Sequence, residues 1–399
     1  MKKAISILFA LLLFNIAIAQ NKTEYKFTDD IRLQTTSVKN QYASGTCWAF
    51  SGMSFLESEV IRKQGLKPEE VPDLSEMFIV YYAYLNKAEK YVRMHGNLTF
   101  GAGGGFPDII FIMKNYGLMP EKYYKGLNYG YKKHVHGEMD AALKAYIKAI
   151  ADYGENMRRG MHLSTAWLNG FKGILNAYLG TPMKKFNYNG QEYTPKTFMT
   201  DYLKLNPDDY VCITSYTHHP FYSRFPLEIP DNWLWADYYN VPIEDLMKII
   251  DNALENGYTV AWAADVSEPY FSYKYGVAVL PDINPADMTP TEREKWEQLS
   301  KAEKYNLLKP GKEKKVTQQM RQEQFDNYLT TDDHGMHIIG RAHDQNGTTY
   351  YIVKNSWGTD NPYNGYIYCS RAYVMLKTMD IMVHKDAIPQ DIKKKLGIK

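Results

Sequence analysis

Three side chains of the kinds used in nucleophilic catalysis stand in the chain order cysteine, histidine, asparagine: Cys47, His334 or His337, and Asn355. Cys47 lies in Gln41-Tyr42-Ala43-Ser44-Gly45-Thr46-Cys47-Trp48, directly before a run that places Trp48, Phe50, Phe55, Leu56 and Val60 at helix-compatible spacings. That period predicts a helix over 47–62 with the cysteine in its first turn. Backbone N–H groups and the helix dipole favour an anion there, so the position predicts a lowered thiol pKa and an activated thiolate. Gln41 lies across a Ser-Gly turn from the sulfur, where its amide can donate to an oxyanion. Alone, Cys47 reads equally as a small buried hydrophobe. The distant histidine and asparagine shift the reading to a cysteine-histidine-asparagine site for acyl transfer.

The histidines fall in Asp332-Asp333-His334-Gly335-Met336-His337-Ile338-Ile339-Gly340. Strand alternation places His334 and His337 on opposite faces, so one of them at most faces Cys47. Asn355, in Val353-Lys354-Asn355-Ser356-Trp357-Gly358, would accept from the imidazole N–H and hold the ring towards the sulfur, with Trp357 shielding that bond from water.

These stretches resemble the papain superfamily and, within it, the bleomycin hydrolase or aminopeptidase C branch. Ser44-Gly45-Thr46-Cys47-Trp48 follows the signature around the papain nucleophile, with a serine where its first cysteine would form a disulfide. Asn355-Ser356-Trp357-Gly358 matches the asparagine motif without a change. The resemblance covers roughly 35–120, 241–281 and 318–383. It implies that His334 is the catalytic histidine, because the family's histidine lies six residues before a strand-ending glycine, here Gly340. Asp333 matches the polar residue that often precedes it. The resemblance also points to Gly104 and Gly105, in Gly101-Ala102-Gly103-Gly104-Gly105-Phe106-Pro107-Asp108, as backbone that pairs with an extended substrate. Glycine permits that close approach, although a flexible turn is the plainer reading. The implied fold is α+β, with a helical half carrying Cys47 and a β-barrel-like half carrying His334 and Asn355. The implied reaction is peptide-bond hydrolysis without a cofactor, most specifically removal of residues from free peptide N-termini. In that branch a C-terminal tail enters the cleft, and homo-oligomers, commonly hexamers, enclose the sites.

The elements that must position these residues follow from the rest of the chain. Residues 1–19 read as a signal peptide: Lys2-Lys3, an apolar run, then Ala17-Ile18-Ala19. Export to the periplasm or beyond is expected, with no membrane association once the segment is removed. The peptidase domain then spans 20–399. Its helical half covers about 35–120, a mainly helical insertion about 121–240, and a β-rich half about 241–383 with a surface insertion at 281–317. A tail covers 384–399. Periodicity predicts helices over 76–92, 108–116, 137–153, 164–179, 243–256 and 291–305, and strands over 211–216, 258–264 and 273–280.

A net charge of +2 excludes the basic field that nucleic-acid binding needs. The 34 tyrosines are dispersed, which suits packing better than a binding platform. Three isolated cysteines and ten scattered histidines show no metal-ligand spacing. His218-His219 reads as a loop feature, since neighbours do not readily face one site. Cys212 and Cys369 either pair or remain buried thiols. An endopeptidase of the same fold and an inactive peptide-binding relative stand as alternatives. A transglutaminase-like acyltransferase is disfavoured, because that site ordinarily uses aspartate where Asn355 stands.

Overall fold

The computed structural model describes residues 23–399. The signal peptide expected over 1–19 lies outside the described residues. Strand β1 (Thr28–Arg32) precedes the helices α1 (Cys47–Gln64), α2 (Glu76–Arg93), α3 (Phe106–Tyr116), α4 (Gly137–Glu155) and α5 (Ala166–Leu179). Helix α1 is buried on almost every side: Trp48, Ala49, Phe50, Met53, Phe55, Leu56, Val60 and Ile61 are all buried. An all-round apolar helix belongs in the middle of a fold. It lies between α2 and α3 on one side and the main sheet on the other. Gly65, at φ 65°, terminates it in the left-handed conformation.

A small hairpin, β2 (Phe186–Tyr188) and β3 (Gln191–Tyr193), follows. Then come β4 (Tyr210–Thr214), β5 (Arg224–Pro226), β6 (Asp237–Asn240), α6 (Ile243–Glu255), β7 (Val260–Ala264), β8 (Phe271–Ser272) and β9 (Val277–Ala278). The chain continues through α7 (Gln318–Asp326), β10 (His334–His343), β11 (Thr349–Lys354), β12 (Tyr366–Ser370), α8 (Arg371–Lys377), β13 (Thr378–His384) and α9 (Gln390–Lys395). The main sheet runs β5-β6-β4-β13-β7-β10-β11-β12-β9-β8, with β1 also paired to β10. Pairings β4/β6 and β12/β9 are parallel and the others antiparallel. The β-rich half is therefore an open mixed sheet and not a closed barrel, because β5 and β8 end it without meeting.

Three expectations about elements differ from the structure. Of the strand expected over 273–280 only β9 forms, because residues 273–276 are the turn that joins it to β8, closed from Gly276 N–H to the Tyr273 carbonyl with Gly276 at φ 67°. The helix expected over 291–305 is two short helices, Pro290–Glu297 and Lys301–Lys304, each started by its own capping box, Thr289 with Glu292 and Ser300 with Glu303. Residues 121–240 are more than a helical insertion, since β4, β5 and β6 form one edge of the main sheet.

The tail is docked on the body of the protein. Ile388, Ile392 and Leu396 enter the core cluster that holds Leu246, Met247, Ile250 and Leu254 of α6. Asn252 Nδ2 donates to the Ala387 carbonyl at 2.8 Å. Cys212 on β4 and Cys369 on β12 have four strands between them, roughly 24 Å at the usual strand spacing. That excludes a disulfide, and both are free and buried. Among the described residues, no helix is long and apolar enough to cross a membrane.

Candidate active site

Helix α1 begins at Cys47, so its N–H has no partner within the helix. The sulfur opens into a cavity of about 380 Å³ lined by Gln41, Trp48, Gly103, Gly104, Gly105, His334, Gly335 and Trp357, among others. Gln41 is locked in place. Its Nε2 donates to the Ser44 carbonyl at 2.8 Å, its Oε1 accepts from Ser356 Oγ at 2.6 Å, and its backbone N–H donates to the Ser356 carbonyl at 2.8 Å. Because the Ser44 carbonyl only accepts, the amide orientation is fixed, and one N–H of Nε2 is left over. Ser44 donates its own hydroxyl to the Gln41 carbonyl at 2.8 Å, so this serine tightens the loop where the family signature has a cysteine.

His334 opens strand β10. Its Nε2 meets Asn355 Oδ1 at 2.7 Å, leaving Nδ1 as the nitrogen free for chemistry. The Asn355 oxygen also accepts from the Ser356 N–H at 2.7 Å. Trp357 lies over the imidazole, with ring centroids 4.6 Å apart. It is braced in turn by Phe271 and Tyr273. His337 projects to the other face of the strand and is fully buried, where its Nδ1 meets Ser54 Oγ at 2.9 Å. Ser54 also accepts from Lys354 Nζ at 2.8 Å. Asp333 also borders the cavity, and its carboxylate accepts from Ser267 and Thr331. These hydrogen bonds hold its carboxyl below the usual range against the opposing effect of burial.

The electrostatics differ from the sequence expectation. Burial pushes the Cys47 thiol up to about 11, with Asp332 and Asp231 adding to the rise, while the N–H groups of Gly335 and Trp48 pull the other way. Burial likewise brings the His334 imidazole down to about 4, against the hydrogen bond to Asn355. Both penalties fall on the charged forms and oppose the pull of the backbone N–H groups on the sulfur.

Gly104 and Gly105 lie along the cavity wall. A Cβ on Gly104 would come within 2.5 Å of Asp108 Oδ2 and 2.9 Å of Trp48 Cε2, so the wall admits backbone only. The sequence reading left out Asp231, Asp332 and Asp380, which also line this cavity. Residues 121–240 carry no catalytic constellation in sequence, yet Ile229 and Asp231 reach the cavity from the irregular segment between β5 and β6. His218 and His219 do face one point, each placing Nε2 2.9 Å from a Glu228 oxygen. They lie on a bend, so strand alternation does not separate them. Their donor atoms and those of Glu228 lie close enough to share a cation, and the two hydrogen bonds account for that closeness.

A family profile described as Peptidase C1-like family matches residues 88–398, a stretch that contains His334 and Asn355. Aminopeptidase C of Lactobacillus delbrueckii subsp. lactis is 20% identical over 94% of this chain and 85% of its own length. Human bleomycin hydrolase is 20% identical over 93% of this chain and 85% of its own length. The crystal structure of PepW from Lactobacillus rhamnosis superposes with a TM-score of 0.70 at 18% identity, covering 93% of this chain and 84% of that one. The profile spans well over half of the sequence, and the chain belongs to the Peptidase C1-like family, in the bleomycin hydrolase and aminopeptidase C branch of the papain-like cysteine peptidases.

Proposed function

We propose that this cysteine peptidase is an exported aminopeptidase working through Cys47, His334 and Asn355. The observation that carries the reading is the 2.7 Å contact from His334 Nε2 to Asn355 Oδ1, beside a cavity that His334 shares with Cys47. That contact commits one ring nitrogen and leaves Nδ1 to take the thiol proton as the sulfur attacks a peptide carbonyl. The thiolate-imidazolium pair so formed offsets the cost of separating charge in a buried site. The Cys47 N–H and the remaining N–H of Gln41 hold the oxyanion, and Gly104 and Gly105 present backbone to the extended substrate. His334 then gives its proton to the leaving amine, and water, deprotonated by the same imidazole, hydrolyses the thioester. No step calls for a cofactor.

The names of the relatives support the preference for free N-termini, and the leader at 1–19 supports export. The resemblance extends the reading to a homo-oligomer, which the native mass by light scattering checks. One observation favours the endopeptidase alternative: the tail packs on α6 and contributes nothing to the cavity lining. Hydrolysis of an amino-acid amide and of its N-acetylated form separates the two. A strong preference for the free amine, lost with all turnover in Cys47→Ala, is the expected result. Equal cleavage of both forms makes the protein an endopeptidase, and retained turnover in Cys47→Ala removes the cysteine mechanism. Export is checked by N-terminal sequencing of the mature protein, with Gln20 expected first.

A further inference from the structure

Asp231, Asp332 and Asp380 line the same cavity as Cys47, and among the described residues no side-chain hydrogen bond or ion pair is made by any of the three carboxyl groups. Asp380 is the most telling. It is 1% exposed, yet its Oδ1 has no partner at all. A buried carboxylate oxygen left unpaired is costly unless something arrives to meet it. Lys87 donates to the carbonyls of Gly101 and Gly103, and Arg321 donates through Nε and Nη1 to the carbonyls of Ser215 and Leu376 and lies over the Tyr216 ring, its Nη2 being without a partner as well. Arg321 is near enough to ease the charge on Asp380, but no ion pair joins them.

The sheet fixes where this group lies. Asp380 on β13 is paired with Ala263 on β7, and Ala263 with Gly335 on β10, next to His334. Asn355 and Trp357 follow β11, on the other side of β10. The carboxylates and the tryptophan wall therefore flank His334 on opposite sides. Two strand spacings put Asp380 about 10 Å from the β10 backbone, within reach of one extended residue and a long side chain. Asp231 and Asp332 share the cavity with the sulfur and add to the rise of the Cys47 thiol pKa. Gly103 makes the room: a Cβ there would overlap the Asp231 carboxylate. A second cavity of about 370 Å³ shares Asp231 and Asp332 with the first and adds Glu228 and Asp326.

We infer that Asp231, Asp332 and Asp380 form a cation subsite that holds a positively charged nitrogen of the substrate beside Cys47. The inference rests on the peptidase reading above and names the chemistry that its substrate must carry. Two sources supply such a nitrogen: the α-ammonium of a free N-terminus, placed at Asp332 and Asp231, and a lysine or arginine side chain reaching Asp380. Either would meet the carboxylates that the fold leaves unpaired. Burial keeps a proton on Asp332 while the cleft is empty and an arriving ammonium favours its release, so the subsite supplies from within the cleft an anchor for the amine that the docked tail does not.

The test compares two substrate pairs on the full chain: an amino-acid amide against its N-acetyl form, and an N-acetylated dipeptide amide with lysine before the terminal residue against one with norleucine there. We expect Asp332→Asn to lower the free-amine to acetylated ratio of kcat/KM at least tenfold, mainly through KM. Asp380→Asn is expected to do the same to the lysine to norleucine ratio. The pair that responds identifies the source. Ratios unchanged within twofold in both variants overturn the subsite while leaving the peptidase reading intact. Should the wild-type chain hydrolyse none of these, calorimetry on Cys47→Ala with Leu-Gly-Gly and acetyl-Leu-Gly-Gly still decides. Tighter binding of the free-amine form, abolished by adding Asp332→Asn, supports the subsite, and equal binding of the two forms overturns it.

Discussion

A Cβ placed on Gly335 would lie 3.0 Å from Trp48 Cα and 2.7 Å from Ser51 Oγ. Strand β10 and helix α1 thus touch backbone to backbone one residue beyond His334 and one residue beyond Cys47, and this contact sets the separation of the two reactive groups. Gly335→Ala forces them apart. It should lower kcat/KM at least tenfold and destabilise the fold by about 1–3 kcal/mol, the range for overpacking a tight core. Steady-state kinetics beside thermal unfolding reads both, and near wild-type turnover would show that the contact does not position the site.

The two histidines should separate cleanly. His334→Ala removes the base and its bond to Asn355, and turnover should fall by at least a hundredfold, the lower range for losing general acid-base catalysis. His337 is fully buried with one nitrogen on Ser54 and the other unpartnered. His337→Ala should cost about 2–4 kcal/mol of stability and leave kcat per folded molecule near wild type. Reversed ranks in a paired kinetic and denaturation experiment would refute the assignment.

Tail variants should report on stability and leave substrate choice alone. Ile392 is wholly buried against α6. Ile392→Ala should cost about 2–5 kcal/mol and leave the free-amine to acetylated cleavage ratio unchanged. A collapse of that ratio in a folded Ile392→Ala protein would return the amine-binding role to the tail.

Burial pushes Asp332 up to about 8, with Asp231, Asp333 and Asp108 adding to the rise. An unfolded aspartate titrates near about 4. Between those values the folded chain holds a proton that the unfolded chain releases, so stability falls as pH rises from about 4 towards 8 and levels off above. Groups facing the cluster share in the slope: burial lifts Asp108 to about 7 and raises Asp231 and Asp380 too, while Lys87 and Arg321 oppose them. Asp332→Asn should shallow the fall of Tm across this window. An identical Tm-pH curve would show that Asp332 is not protonated in the folded chain.

Much of this architecture was readable in advance, for physical reasons that differ by residue. The apolar period after Cys47 is local, and the helix starts at the expected residue. The opposite facing of His334 and His337 follows from strand geometry alone. At the thiol the helix start is a local property that the sequence shows, whereas the burial that opposes it is a tertiary one. Asp231 sits in an aromatic, proline-bearing stretch with no period, and only the fold brings it to β10. Asp332 offered a faint signal as the first of two adjacent aspartates before His334. The tail hid its apolar stripe, Ile388, Ile392 and Leu396 at intervals of four, behind three consecutive lysines.

Cys212 and Cys369 are buried in the sheet, whereas Cys47 opens on the cleft. A native sample therefore offers one thiol per chain to a cleft-sized alkylating reagent, and an unfolded sample offers three. Reagent consumed before and after denaturant counts intact active centres against total polypeptide. A preparation that gives a fractional ratio contains molecules whose nucleophile is already oxidised or blocked, and the same titration measures how many.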